Sequence, residues 1–155
     1  MINLDNMIDE VRNYLDENEW KYEYDDERKL IATGIGLKCK LRSLRIYISF
    51  SENGYSVITN SQMNASEECR AAVAEYITRV NYSAKQGNFE MDYNDGEVRY
   101  KTYTHCEGLE NLSRQVVENS IVIPVIMYER YGDGLAALLF GFSTPLDEYN
   151  KATGK

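Results

Sequence analysis

The chain has 155 residues, 43% of them hydrophobic and 27% charged, and a net charge of −8. That length suits one domain, which can bury roughly 70% of the surface of its unfolded chain without a metal or disulfide. The acidity disfavours nucleic acid and anionic membranes as partners, and three scattered cysteines without a C-x-x-C pair speak against a disulfide framework.

Leu4, Met7, Ile8, Val11 and Leu15 recur at three- and four-residue spacing and predict an amphipathic helix over Asn3 to Glu17. Aromatic alternation follows at Trp20, Tyr22 and Tyr24, broken by the acidic cluster Asp25-Asp26-Glu27. Leu30 and Ile31 open a strand that Gly34 and Gly36 weaken. Lys38, Lys40, Arg42 and Arg45 alternate with Leu37, Cys39, Leu41 and Leu44, a pattern expected of a strand with one solvated face. Asn53-Gly54 then reads as the tip of a hairpin. With that tip, Phe50 pairs with Val57, Ile48 with Thr59, Ser49 with Ile58 and Tyr47 with Asn60. Tyr47 and Ile58 become diagonal neighbours on the mixed face.

A second helix is expected from Ser66 to Lys85, with Asn64 and Glu67 at capping-box spacing and a stripe of Cys69, Val73, Tyr76, Ile77 and Val80. Asp95-Gly96 marks a second hairpin. Its register sets Tyr93 against Val98, Met91 against Tyr100 and Phe89 against Thr102, with Asp92 facing Arg99 and Glu90 facing Lys101. Tyr93 and Tyr100 are expected at the core's edge. The last helix runs from Ser113 to about Phe140, where Pro124 either kinks it or opens a new one and Gly132-Asp133-Gly134 is a weak point. Gly141 suits the position after its end. The expected organisation is one domain over residues 1–142 and a polar, frayed tail over 143–155. Strands grouped in hairpins, not alternating with helices, indicate an α+β fold: an antiparallel sheet with helices in the order α-β-β-β-α-β-β-α.

No catalytic, metal or cofactor-binding residues are indicated. His105, Cys106 and Glu107 are adjacent, but neighbours on a strand point to opposite faces, and a thiol–imidazole pair needs contact. Zinc would need about four Cys or His ligands at workable spacing. Gly34-Ile35-Gly36 lacks the third glycine, the lysine and the helix start of a phosphate loop. The N-terminal residues lack a basic region, and the strongest apolar run, Ile121–Tyr128, is too short to span a bilayer. A cytoplasmic location with reduced thiols and no membrane attachment is expected.

Thirteen tyrosines stand against four phenylalanines and one tryptophan. Tyrosine packs its ring while its hydroxyl stays wet, which suits contact surfaces. Trp20, Tyr22, Tyr24, Tyr47, Ile58 and Tyr103 form the candidate interaction surface. Tyr76, Ile123 and Met127 are candidate dimer contacts, because the second helix and the run Ile121–Tyr128 offer apolar faces.

Asn81, Gly87-Asn88-Phe89-Glu90-Met91-Asp92 and Asp95-Gly96-Glu97-Val98-Arg99-Tyr100 resemble the central signature of the YbjN family, bacterial proteins labelled as sensory transduction regulators. The resemblance extends over the flanking helices. It implies a fold like the type III secretion chaperones and a dimeric, non-enzymatic protein that binds another polypeptide, with no cofactor. A small-ligand sensor, with a pocket between the sheet and the last helix, is the alternative.

Overall fold

The computed structural model describes residues 1–155. In chain order the elements are α1 (Leu4–Glu17), β1 (Tyr22–Asp25), β2 (Leu30–Gly36), β3 (Ser43–Ser51), β4 (Gly54–Asn60), α2 (Arg70–Asn81), β5 (Asn88–Met91), β6 (Val98–His105), α3 (Arg114–Leu139) and α4 (Pro145–Thr153). The fold is α+β, and the expected order of elements holds. The aromatic segment adds a fourth strand to the first group, and a helix follows α3. All six strands form one antiparallel sheet, ordered β1-β2-β3-β4-β6-β5.

Alternation along each strand decides what packs where. Ile31, Leu44, Ile46, Ile48, Phe50, Tyr55, Val57, Phe89, Val98 and Tyr100 are buried and share one face. α1 and α3 lie on that face, α2 flanks β5, and α4 packs on α2 and α3. The other face carries no helix.

α3 is the longest element, 26 residues, and it runs unbroken through Pro124. Proline has no N–H to give to the carbonyl four residues earlier, here Ser120. The Thr102 hydroxyl on β6 donates to that carbonyl at 2.8 Å, and both residues are buried. The Ser120 hydroxyl, which donates to Val117 at 2.6 Å, stands 3.0 Å from the Tyr55 hydroxyl on β4. Farther along, the Tyr128 hydroxyl donates to the carbonyls of Thr59 and Val98 at 3.3 Å each. Burial pushes the Tyr55, Tyr76, Tyr100 and Tyr128 hydroxyls above the usual tyrosine range, Tyr100 to about 12. No buried side-chain polar atom is left without a partner. The helix is therefore joined to the sheet by hydroxyls, and one of them, that of Thr102, supplies the donor the proline lacks.

The glycines expected to weaken α3 instead allow close packing. A Cβ on Gly132 would stand 2.6 Å from the Cys39 sulfur, and one on Gly134 would collide with the Tyr76 hydroxyl. Tyr76 donates to the Tyr131 carbonyl at 2.8 Å and ties α2 to α3.

The segment 37–42 is not a strand. It is a loop whose alternation survives because Leu37, Cys39 and Leu41 are buried beside α3 while Lys38, Lys40 and Arg42 are exposed. Two carboxylates one helical turn apart hold its backbone. Glu129 accepts from the N–H of Lys38 at 2.7 Å and of Cys39 at 3.2 Å, and Asp133 from that of Lys40 at 2.8 Å. Three of its peptide donors are thus spent on α3, and those of Leu37 and Arg42 on carbonyls within the loop.

Both hairpins differ from the expected register by two residues, in the same direction. Phe50 pairs with Tyr55, Ile48 with Val57, Ser49 with Ser56 and Tyr47 with Ile58, so the tip is Glu52-Asn53. Gly54 already lies in β4, where a Cβ would collide with the Thr104 carbonyl of β6. Phe89 pairs with Tyr100, Glu90 with Arg99 and Met91 with Val98. Here the loop spans Tyr93 to Gly96, closed by the Asp92 carbonyl accepting from Gly96 at 2.7 Å and the Asp92 N–H donating to Glu97 at 3.0 Å. Gly96 has φ 78°. Asp92 does not meet Arg99. Glu90 instead holds both Arg99, at 2.7 Å, and Lys101, at 3.2 Å. Tyr93, expected at the core's edge, is exposed in the loop, whereas Tyr100 is fully buried.

Two further expectations are corrected. Asn64 does not cap α2. Its amide donates to the Asp95 carbonyl at 3.4 Å, and the helix begins through a 3-10 turn, Glu67–Cys69, after Ser66. Pro145–Thr153, within the tail expected to fray, form α4. Thr144 caps it by accepting from Asp147 at 3.2 Å, Pro145 opens it, and Gly154 ends it in the left-handed region.

Two outcomes follow from these ties. Thr102→Val should cost about 1–3 kcal/mol, because it strands a buried carbonyl. The same substitution should cost much less when Pro124→Ala restores the helix N–H. Denaturant titration of the four-protein cycle measures the coupling, and equal costs in both backgrounds would contradict the assignment. Glu129→Gln should raise amide exchange at Lys38 and Cys39 selectively, with a stability loss of about 1 kcal/mol. Unchanged exchange there would show that the loop is held by packing alone.

Candidate functional site

The six candidate contact residues fall into two groups on opposite sides of the sheet. Tyr47, Ile58 and Tyr103 lie on the face without helices. A single row crosses all six strands there: Glu23, Ala32, Tyr47, Ile58, Lys101 and Asn88. Tyr47 and Ile58 are directly opposite each other, not diagonal, and neither packs against the core. Tyr103, opposite Ser56, is 51% exposed.

Beside Tyr47 the face is hollowed. β2 presents Ala32, Gly34 and Gly36 on this side, and a Cβ on Gly34 would stand 2.9 Å from the Leu44 carbonyl. A wide depression of about 830 Å³ results, lined by Tyr47, Ala32, Gly34, Arg45 and Lys21 among others. Arg45 lies between Gly34 and Asn60 in the neighbouring row and has no ion-pair partner. At the far end of that row, hydrogen bonds from Arg99 and, from the adjoining row, Lys101 outweigh burial and hold the Glu90 carboxyl below its usual value.

Trp20, Tyr22 and Tyr24 lie on the helix side, half-buried beneath α1. The Arg12 guanidinium sits 4.8 Å from the Tyr24 ring centroid and reaches the Tyr22 hydroxyl at 3.4 Å. Tyr22 donates to Asp16 at 2.9 Å. A trough of about 540 Å³ runs here between α1 and the outer edge of β1.

The other candidates are placed differently from expectation. Tyr76 is 1% exposed and engaged with Tyr131, so it is not presented for a dimer contact. Ile123 and Met127 are half-buried and pack against the core, whereas Ile126 is 54% exposed. The space between the sheet and α3 is filled by Tyr55, Ile121 and Tyr128, each at most 1% exposed, so the pocket expected there for a small ligand is occupied by the core. His105 is exposed, 3.7 Å from Glu107, while the Cys106 thiol is buried, points to the Thr104 carbonyl at 3.5 Å and is pushed up by that burial. The two side chains do not meet.

Sequence reasoning missed Arg12, Ala32, Arg45 and Lys101. Lys101 stands beside Ile58 through the pairing of β4 with β6, which are not joined as a hairpin, so neither turn signal could have brought the two together. It also left Asn81 without a role. The Asn81 side chain donates to the Phe89 carbonyl and accepts from the Phe89 N–H, each at 2.8 Å. It closes the β5 edge of the sheet as a strand would. Gly87 (φ 76°) and Gly96 (φ 78°) stand where a Cβ would press on the backbone of Lys101 and Ala65 respectively. The Tyr100 hydroxyl fixes the Gln86 carbonyl at 2.6 Å.

These residues carry the sequence signature noted above, and their roles are architectural. No curated protein matches the chain. The family model of YbjN, described as "Putative bacterial sensory transduction regulator", matches residues 7–135, from α1 to the last turns of α3. The chain belongs to the YbjN family.

Proposed function

We infer that this YbjN protein is a non-enzymatic, regulatory interaction module that binds another polypeptide on the open face of its sheet. The observation that carries this reading is the row Ala32, Tyr47 and Ile58, apolar at its centre, clear of the core and uncovered by any helix. Tyrosine and arginine, both here, are enriched where proteins meet. A regulatory role agrees with the family's description. A chaperone-like mode, in which this face holds a segment of the other chain, is the finer form of the reading. The cytoplasm is its proposed compartment, and no helix is long and apolar enough to cross a membrane.

A photo-reactive phenylalanine analogue at position 47 should cross-link one defined polypeptide in extract of the native host. The same group at position 75, exposed on α2, should not. Equal labelling at both positions, or none at 47, would contradict the open-face reading.

The same proposal extends to a homodimer through the outward ridge of α3, where Val122 and Ile126 lie one turn apart at mid-helix. Light scattering at micromolar concentration should give a dimer. Ile126→Glu should give a monomer with little change in melting temperature, since the side chain is exposed. A strict monomer before substitution would remove the dimer.

A further inference from the structure

The two edges of the sheet are unlike. β5 is closed, because the Asn81 amide engages both the N–H and the C=O of Phe89. β1 has β2 on one side and nothing on the other. No side chain of the protein reaches the backbone of Tyr22, Glu23 or Tyr24. An edge of unpaired peptide groups is a template for another strand.

The electrostatics of this corner are equally uneven. Between Asp5 and Lys29 there are ten carboxylates and four cations, a net −6 out of −8 for the whole chain. Arg28 and Lys29 are already engaged by Asp25 and Asp26, and Glu17 by Arg114. Glu23 and Glu27 have no hydrogen-bond or ion-pair partner and are exposed. On the helix side of the same edge, Trp20, Tyr22 and Tyr24 offer an aromatic wall along the trough.

We propose that β1 takes an extended basic peptide as a seventh strand, its apolar side chains entering the trough against Trp20, Tyr22 and Tyr24 and its cations on the opposite side facing Glu23 and the acidic turn after β1. Strand alternation sorts the two kinds of side chain: one parity meets aromatic rings, the other carboxylates. The affinity comes from main-chain hydrogen bonds, and the choice of partner from this alternation of apolar and basic residues. The proposal rests on the chain being a polypeptide binder but on different residues from the open face.

Trp20 is the sole tryptophan and lines the trough, so its emission reports occupancy. The probe is a capped heptapeptide alternating lysine and valine, free of aromatics. It should shift Trp20 emission saturably, and more weakly as salt rises. A heptapeptide alternating glutamate and valine should bind at least tenfold more weakly. The lysine peptide N-methylated at every second residue should lose at least tenfold, because methylation removes strand donors and leaves charge unchanged. In Glu23→Lys/Glu27→Lys the preference should invert toward the glutamate peptide, while cross-linking from position 47 persists. Equal binding of methylated and unmethylated peptides overturns strand addition, equal binding of the two charge types overturns the charge preference, and no response to any peptide overturns the site. Loss of the cross-link at position 47 in the unsubstituted edge would instead count against the open-face reading.

Discussion

The hydroxyl of Thr102 on the carbonyl of Ser120 is the contact on which the architecture turns. A 26-residue helix with proline at its centre cannot close its own hydrogen-bond ladder. Buried against a sheet, the open carbonyl would have no water to turn to. A threonine on the facing strand supplies the missing donor, and Tyr55 and Tyr128 add two more ties along the same seam. The proline is thereby converted from a break into a site of attachment.

Several features follow from that placement. With α3 laid across β4 and β6, α1 beside it, and α2 and α4 packed around its far half, the helices are spent on one face. Glycines at 132 and 134 bring the 37–42 loop and Tyr76 close to α3, and the carboxylates of Glu129 and Asp133 tie that loop down. Nothing remains to cover the other face, where the small residues of β2 leave a hollow beside Tyr47. At the margins Asn81 closes one edge and leaves the other bare, in the most acidic quarter of the chain. The open face and the bare edge are thus what the packing of the core leaves over.

The sequence made some of this plain and hid the rest for identifiable reasons. Periodicity placed α1, the stripe of α2 and the span of α3, because each buries a continuous apolar stripe. The two hairpins were recognisable, but each glycine was taken as a tip residue when it serves just after the tip. A slip of two residues preserves the faces, so Tyr47 and Ile58 were assigned to the correct side despite the wrong partners. The alternation from Leu37 to Arg42 looked like a strand because a loop pinned along a helix can also bury every second residue. α4 was missed although Thr144-Pro145 is a helix start, since so few apolar residues follow it. Trp20, Tyr22 and Tyr24 were assigned to a contact surface, and that Tyr22 and Tyr24 belong to an edge strand was not seen, because strand order within a sheet leaves no local trace in the chain.

The most direct measurement is native-state amide exchange on the free protein. If the fold closes one edge and leaves the other open, the Phe89 amide should be protected nearly as well as the sheet interior, although β5 is an edge strand. The amides of β1 that point away from β2 should exchange close to the unprotected rate. Slow exchange along both sides of β1, or a Phe89 amide as labile as a free edge, would contradict the asymmetry on which the proposed strand addition rests.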